Sequence, residues 1–110
     1  MEDRRRAVRF RAHAATSVGF ASTGHSFTAP LIDFSPFGLS VKASHEVKTG
    51  TVFRLIVRMG ADYFRAAAVS RTQIPDRFAV EFLSMTPTDR EIMRRTYQRL
   101  QMASRNPQGG

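Results

Sequence analysis

Short apolar runs separated by turn residues fill the chain from Phe10 to Phe82. That spacing limits what the chain can fold into, because short strands at regular intervals are the pattern of antiparallel all-β folds. Phe10 to Phe20 carries small and β-branched residues around Phe10, Val18 and Phe20. The Ser22–Gly24 turn leads into Ser26–Ile32, where Pro30 marks an edge or a bulge. Gly38 opens Leu39–Ala43, an alternation of apolar and polar residues. Lys48–Gly50 is a turn signal before Thr51–Arg58, which reads as apolar on both faces. Met59–Asp62 reads as a hairpin loop into Tyr63–Thr72, and Ile74–Asp76 breaks that run. Arg77–Phe82 then alternates Phe78, Val80 and Phe82 with Arg77, Ala79 and Glu81. About six strands at this spacing form the pattern of an antiparallel barrel or sandwich.

The period changes at Thr86-Pro87-Thr88. Thr88 with Glu91 has the spacing of a capping box, and Asp89 adds negative charge to the first turn. Ile92, Met93, Thr96, Tyr97 and Leu100 recur at helical spacing, with Arg94, Arg95 and Arg99 on other faces. One helix, over about 88–102, is therefore expected to lay a single face on the strands. The tail at 104–110 reads as frayed. The expected organisation is one domain over 1–103, with a basic arm at 3–11 and strands over about 10–83.

Composition narrows the chemistry. The chain has 17 Lys plus Arg against 9 Asp plus Glu, a formal charge of +8, and no cysteine. Disulfides and thiolate metal sites are therefore excluded. Arginine clusters at Arg4, Arg5, Arg6, Arg9 and Arg11, and again at Arg90, Arg94, Arg95, Arg99 and Arg105. Such a field favours anionic partners: nucleic acid, acidic lipid, phosphorylated ligands or acidic protein. Met1 to Arg11 lacks the apolar stretch of a secretory signal, and no apolar run approaches the ~20 residues of a membrane span. A soluble cytoplasmic protein is the expectation.

Catalytic chemistry is not expected. His13, His25 and His45 are scattered without metal-ligand spacing, and Ser35 is in no Gly-x-Ser-x-Gly elbow. Gly50 and Gly60 read as turn glycines rather than a phosphate loop. Glu81 is read on the outer face of its strand rather than as a partner of Asp33 in acid–base work.

Two elements remain. Asp3-Arg4-Arg5-Arg6-Ala7-Val8-Arg9 contains Arg-x-x-x-Arg at Arg5 and Arg9, and Asp33-Phe34-Ser35-Pro36-Phe37-Gly38 is an Asp-x-Ser-x-x-Gly element where two strands meet. Each has a plainer account alone, since most charge runs are solvated and Asp and Ser are common turn residues. In this order, with Val69-Ser70-Arg71, Ala79-Val80-Glu81-Phe82 and a closing helix, the chain resembles the PilZ family over roughly residues 3 to 102. The resemblance implies a six-stranded antiparallel β-barrel with a C-terminal helix, mainly β in class. It implies a bacterial receptor for the second messenger cyclic di-GMP, with no other cofactor and no enzymatic step. The arm would fold over the rim beside Asp33 and signal to an unidentified protein effector.

The chemistry of those residues suits that ligand. A guanidinium grips the N7 and O6 acceptors of guanine with parallel hydrogen bonds, stacks on its face and forks onto phosphates. The donor-rich Watson–Crick edge suits a carboxylate such as Asp33. Ser35 can donate to phosphate or base, and Gly38 lets the backbone turn and approach closely. The expected ligand set is thus Arg4, Arg5, Arg6, Arg9, Asp33, Ser35 and Gly38. Arg4 stands directly before the Arg5-x-x-x-Arg9 motif, a pattern that resembles family members holding two stacked cyclic di-GMP molecules. Two per chain is therefore the expectation, since four clustered phosphate charges need extra cations. The helix arginines are read as a solvated face and left out of the site. The rivals are a small basic barrel stacking single-stranded nucleic acid on Phe10, Phe20 and Phe27, and a PilZ-like adaptor that contacts only protein. Nucleic acid is not the expected partner, because the aromatics mostly alternate as core residues do.

Overall fold

The computed structural model describes residues 10–11, 16–43 and 46–105. Its strands are β1 (Phe10–Arg11), β2 (Ser17–Ser22), β3 (His25–Ser35), β4 (Gly38–Lys42), β5 (Val52–Met59), β6 (Asp62–Ile74) and β7 (Arg77–Ser84). The helix α1 (Pro87–Arg105) follows. Every strand pairing is antiparallel. The order β3-β2-β5-β6-β7-β4 returns to β3, so β2 to β7 close into a six-stranded barrel.

Closure depends on β3. Its first half pairs with β2, from His25 opposite Ser22 to Pro30 opposite Ser17, and its second half pairs with β4. The register shifts between Leu31 and Asp33, leaving Ile32 as the extra residue of a bulge. A bulge bends its strand and increases the local twist, which lets one strand serve two neighbours at a corner. Beyond the end of β2, β1 takes the vacated edge of β3, with Phe10 opposite Phe34 and Arg11 opposite Asp33. The long run expected at Phe10–Phe20 therefore supplies two separate strands.

Turn chemistry sets the hairpins. Gly60 holds φ 65° between Met59 and Asp62, at the first central position, where a type II′ turn needs a positive φ. Pro75-Asp76 joins Ile74 to Arg77, with Asp76 at φ 72°. Strand β6 therefore continues through Ile74, past the break expected there, because β7 pairs with it up to the turn.

The barrel is filled from alternate positions. Phe53, Leu55 and Val57 of β5 are buried while Val52 and Arg54 are exposed, so this strand has one apolar face and not two. Its outer side meets solvent because no second layer covers it among the described residues. Two aromatic groups occupy the interior. Phe20 stacks on Phe27 at 4.8 Å and meets Phe53 edge-on at 5.2 Å. Phe34, Phe64 and Phe82 gather with Tyr97 of α1, whose ring lies 5.9 Å from that of Phe34. Each fully buried Phe contributes roughly 1.5–3 kcal/mol by leaving water.

Helix α1 covers the second group with Met93 and Thr96 buried and Ile92, Tyr97 and Leu100 half-buried, the face its periodicity requires. Its cap differs from the expected one. Thr86 Oγ1 accepts the Asp89 amide at 3.0 Å and donates to Asp89 Oδ2 at 2.7 Å, so Thr86 and not Thr88 is the N-cap. Pro87 explains the shift: its fixed φ and missing N–H suit the first helical position. Asp89 Oδ1 also accepts the Arg65 amide at 3.0 Å, and Arg99 reaches Asp62 at 3.0 Å, so α1 is tied to β6 at two points.

Candidate functional site

The Asp-x-Ser-x-x-Gly element is a hairpin. Asp33 and Ser35 end β3, Pro36-Phe37 form the turn, and Gly38 opens β4 opposite Ser35. The two oxygen-bearing side chains alternate with Phe34, which is fully buried in the barrel. Strand alternation thus puts Asp33 and Ser35 on the outer side whenever Phe34 is in the core. Ser35 is itself only 2% exposed, and its Oγ accepts the Phe37 amide at 3.2 Å, bracing the turn.

Asp33 is half-buried, and Ser40 donates its hydroxyl to Asp33 Oδ1 at 2.8 Å from the position directly opposite on β4. The sequence reading missed Ser40. The signal was available in Leu39-Ser40-Val41, where a polar residue between two core residues must face outward beside Asp33.

Gly38 is required by a close approach rather than by an unusual φ. A Cβ there would overlap the carbonyl oxygen of Val80 on β7, and the next contacts are also backbone, at Glu81 Cα. Phe37 O accepts the Phe82 amide at 2.8 Å, so the turn is fastened to β7 at the same place.

The cross-strand register extends this face. Asp33, Ser40 and Ala79 lie in one row across β3, β4 and β7, with the backbone of Arg11 at its head. Ser35, Gly38 and Glu81 form the next. Arg71 is the extra residue of a β6 bulge between Ser70 and Thr72, and bulges re-aim side chains. Its Nε reaches Glu81 Oε1 at 2.9 Å. Glu81 does face outward, and the structure joins it to Arg71, a partner that the sequence reading did not assign.

Of the expected ligand residues, Asp33, Ser35 and Gly38 therefore share one rim. Arg4, Arg5, Arg6 and Arg9 lie outside the described residues. The β1–β3 pairing nevertheless brings the end of the arm, Phe10–Arg11, against the hairpin strand. Phe20 is 2% exposed and the half-buried Phe27 stacks one face on it, so Phe20 offers no open stacking surface to the single-strand rival, and the Phe10 side chain lies outside those described. Among the described residues no group of three or more His, Asp or Glu is placed to hold a metal, and no helix is long and apolar enough to cross a membrane.

Comparison with solved structures finds the same barrel elsewhere. The Escherichia coli YcgR PilZ domain with c-di-GMP aligns at TM-score 0.75 and 21% identity, covering 94% of this chain and 96% of that one. Longer YcgR, in complex with c-di-GMP, aligns at TM-score 0.76 and 23% identity over 94% of this chain and 49% of that chain. The Bacillus subtilis inhibitor of motility MotI/DgrA aligns at TM-score 0.76 and 19% identity, over 90% and 52%. The chain thus spans about half the length of the last two. At such identities the likeness is one of fold. No curated protein matches the sequence significantly. The family model described as PilZ domain matches residues 3–99. A match of that extent, on a barrel closed through β3 and carrying the Asp33–Gly38 hairpin on its rim, places this chain in the PilZ domain family.

Proposed function

We propose that this domain is a cyclic di-GMP receptor that binds the nucleotide between its arginine arm and the Asp33–Gly38 hairpin. The observation that carries the reading is the pairing of Arg11 with Asp33, which joins the arm to the hairpin in one sheet. Arg5 and Arg9 supply forked donors to phosphate and guanine, Asp33 accepts from the base edge, and Ser35 donates from the turn. Arg4 and Arg6 supply the further cations that a stacked pair of ligands requires. The c-di-GMP present in the YcgR structures supports the same ligand class here.

The receptor unit is residues 1–103 together with the end of α1, which runs through Arg105 and takes in the first two residues of the expected tail, and it works in the cytoplasm. No bond in the ligand is made or broken. Ordering the arm over the rim alters a surface that a protein effector reads. Isothermal titration calorimetry tests the reading, with GTP and cyclic di-AMP as controls. Saturable binding confined to cyclic di-GMP is the expected result. Absence of binding, or equal binding of the controls, overturns it.

A further inference from the structure

A cleft of about 550 Å³ lies between the Pro36–Phe37 turn and α1. It adjoins the candidate site, because that turn links Ser35 to Gly38. Phe37 and Glu81 line one side, and Arg90, Arg94 and Gln98 of α1 line the other. Arg90 and Arg94 are among the helix arginines that the sequence reading had set aside as a solvated face.

The charges in and around the cleft are unevenly matched. Arg71 holds Glu81 at 2.9 Å, which offsets the acid on the hairpin side. Across the cleft, Glu91 is shared between Arg94 at 3.3 Å and Arg95 at 3.9 Å. Arg90 has no carboxylate partner among the described residues. The helix wall therefore carries surplus positive charge, in forked donors suited to phosphate. Phe37 is 39% exposed at the tip of the turn, an open ring on which a base can stack, and Gln98 offers amide donors and an acceptor to a base edge. Direction matters as well. Phe10 pairs with Phe34 and Arg11 with Asp33, so the N-terminal end of β1 points toward Ser35 and this cleft, and β1 lies near α1.

We propose that α1 forms the second wall of the nucleotide site. A guanine of the bound ligand enters the cleft against Phe37, and Arg90 and Arg94 hold the adjoining phosphodiester. This rests on the cyclic di-GMP reading above and extends that site to the helix.

The test is calorimetry with cyclic di-GMP on the parent, on Arg90→Ala/Arg94→Ala and on the charge-matched control Arg95→Ala/Arg99→Ala. The side chains of Arg94, Arg95 and Arg99 are 61%, 59% and 62% exposed, so their loss removes little packing. Circular dichroism confirms the fold of each variant. The Arg90/Arg94 variant should bind at least about tenfold more weakly, with a shallower dependence on salt, and the control should stay within about threefold of the parent. Phe37→Ala should weaken binding without changing the salt slope. Parent-like binding by the Arg90/Arg94 variant overturns the proposal, as does an equal loss in the control, which would mark a general charge effect. A parent that binds no cyclic di-GMP overturns the receptor reading first, an outcome distinct from the other two.

Discussion

The backbone of Arg11 stands opposite Asp33 in the β1–β3 ladder, although all of β2 separates them along the chain. This pair links a basic arm and an acidic hairpin that the sequence presents as separate motifs. It exists because β3 outruns β2 and leaves an edge for β1 to fill.

Arg5→Ala and Arg9→Ala should each weaken cyclic di-GMP binding by roughly ten- to a hundredfold, since a charge-assisted contact contributes about 1.5–3 kcal/mol. Both residues precede β1, so thermal unfolding should be unchanged. Calorimetry beside a melting curve checks both halves. Two variants that bind like the parent would reduce the arm to a solvated tail.

Replacing Asp33 by Ala should lower affinity and relax the preference for guanine over adenine ligands. It should also cost about 1–3 kcal/mol in stability, because Ser40, 6% exposed, would lose the acceptor of its hydroxyl. Ser40→Ala should cost less in affinity, as it leaves the carboxylate in place. Competition with cyclic di-AMP and urea unfolding separate the two effects. Unchanged selectivity in Asp33→Ala would confine Asp33 to bracing the hairpin.

Gly38→Ala should be among the most damaging single-methyl changes in the barrel. Its Cβ meets the Val80 carbonyl and other backbone that cannot rotate away, so β4 must part from β7. A loss of roughly 1–3 kcal/mol is expected from overpacking of this kind. Urea denaturation measures it directly, and a parent-like midpoint would show that the sheet yields there.

At saturation the domain should hold two cyclic di-GMP molecules per chain, and Arg4→Leu should reduce that to one. The motivation is charge: a stacked pair brings four phosphates together and needs more cations than Arg5 and Arg9 supply. A calorimetric ratio near one for the parent would refute the stacked pair.

Thr86→Ala should destabilise the domain by about 1 kcal/mol, while Thr88→Ala should have little effect. The first removes the acceptor of the Asp89 amide and the donor to its carboxylate. Thermal melts of the two variants rank the caps; a larger loss in Thr88→Ala would reverse the assignment.

Much of the barrel was legible because its information is local. Phe78, Val80 and Phe82 alternate in the sequence as they do in space, and Gly60 announces its turn by the φ that only such a residue adopts cheaply. The Asp33–Gly38 hairpin was legible for the same reason, as two strands meeting at a proline turn. The cap was misplaced by one competing local rule, since Thr88-x-x-Glu91 matched the spacing while Pro87 had already claimed the first turn.

Contacts between distant segments needed the fold. Nothing in the spacing of β3 says that one strand pairs with β2, then β4, then β1, because that depends on a bulge at Ile32 and on where β2 ends. Ser40 under Asp33, Arg71 on Glu81 and the cleft between Phe37 and α1 follow from that closure. Periodicity determined which face of each element is apolar, since it is a property of neighbours in the chain. Which outward residues meet was decided by register, bulges and the docking of α1, where small shifts choose between partners remote in sequence.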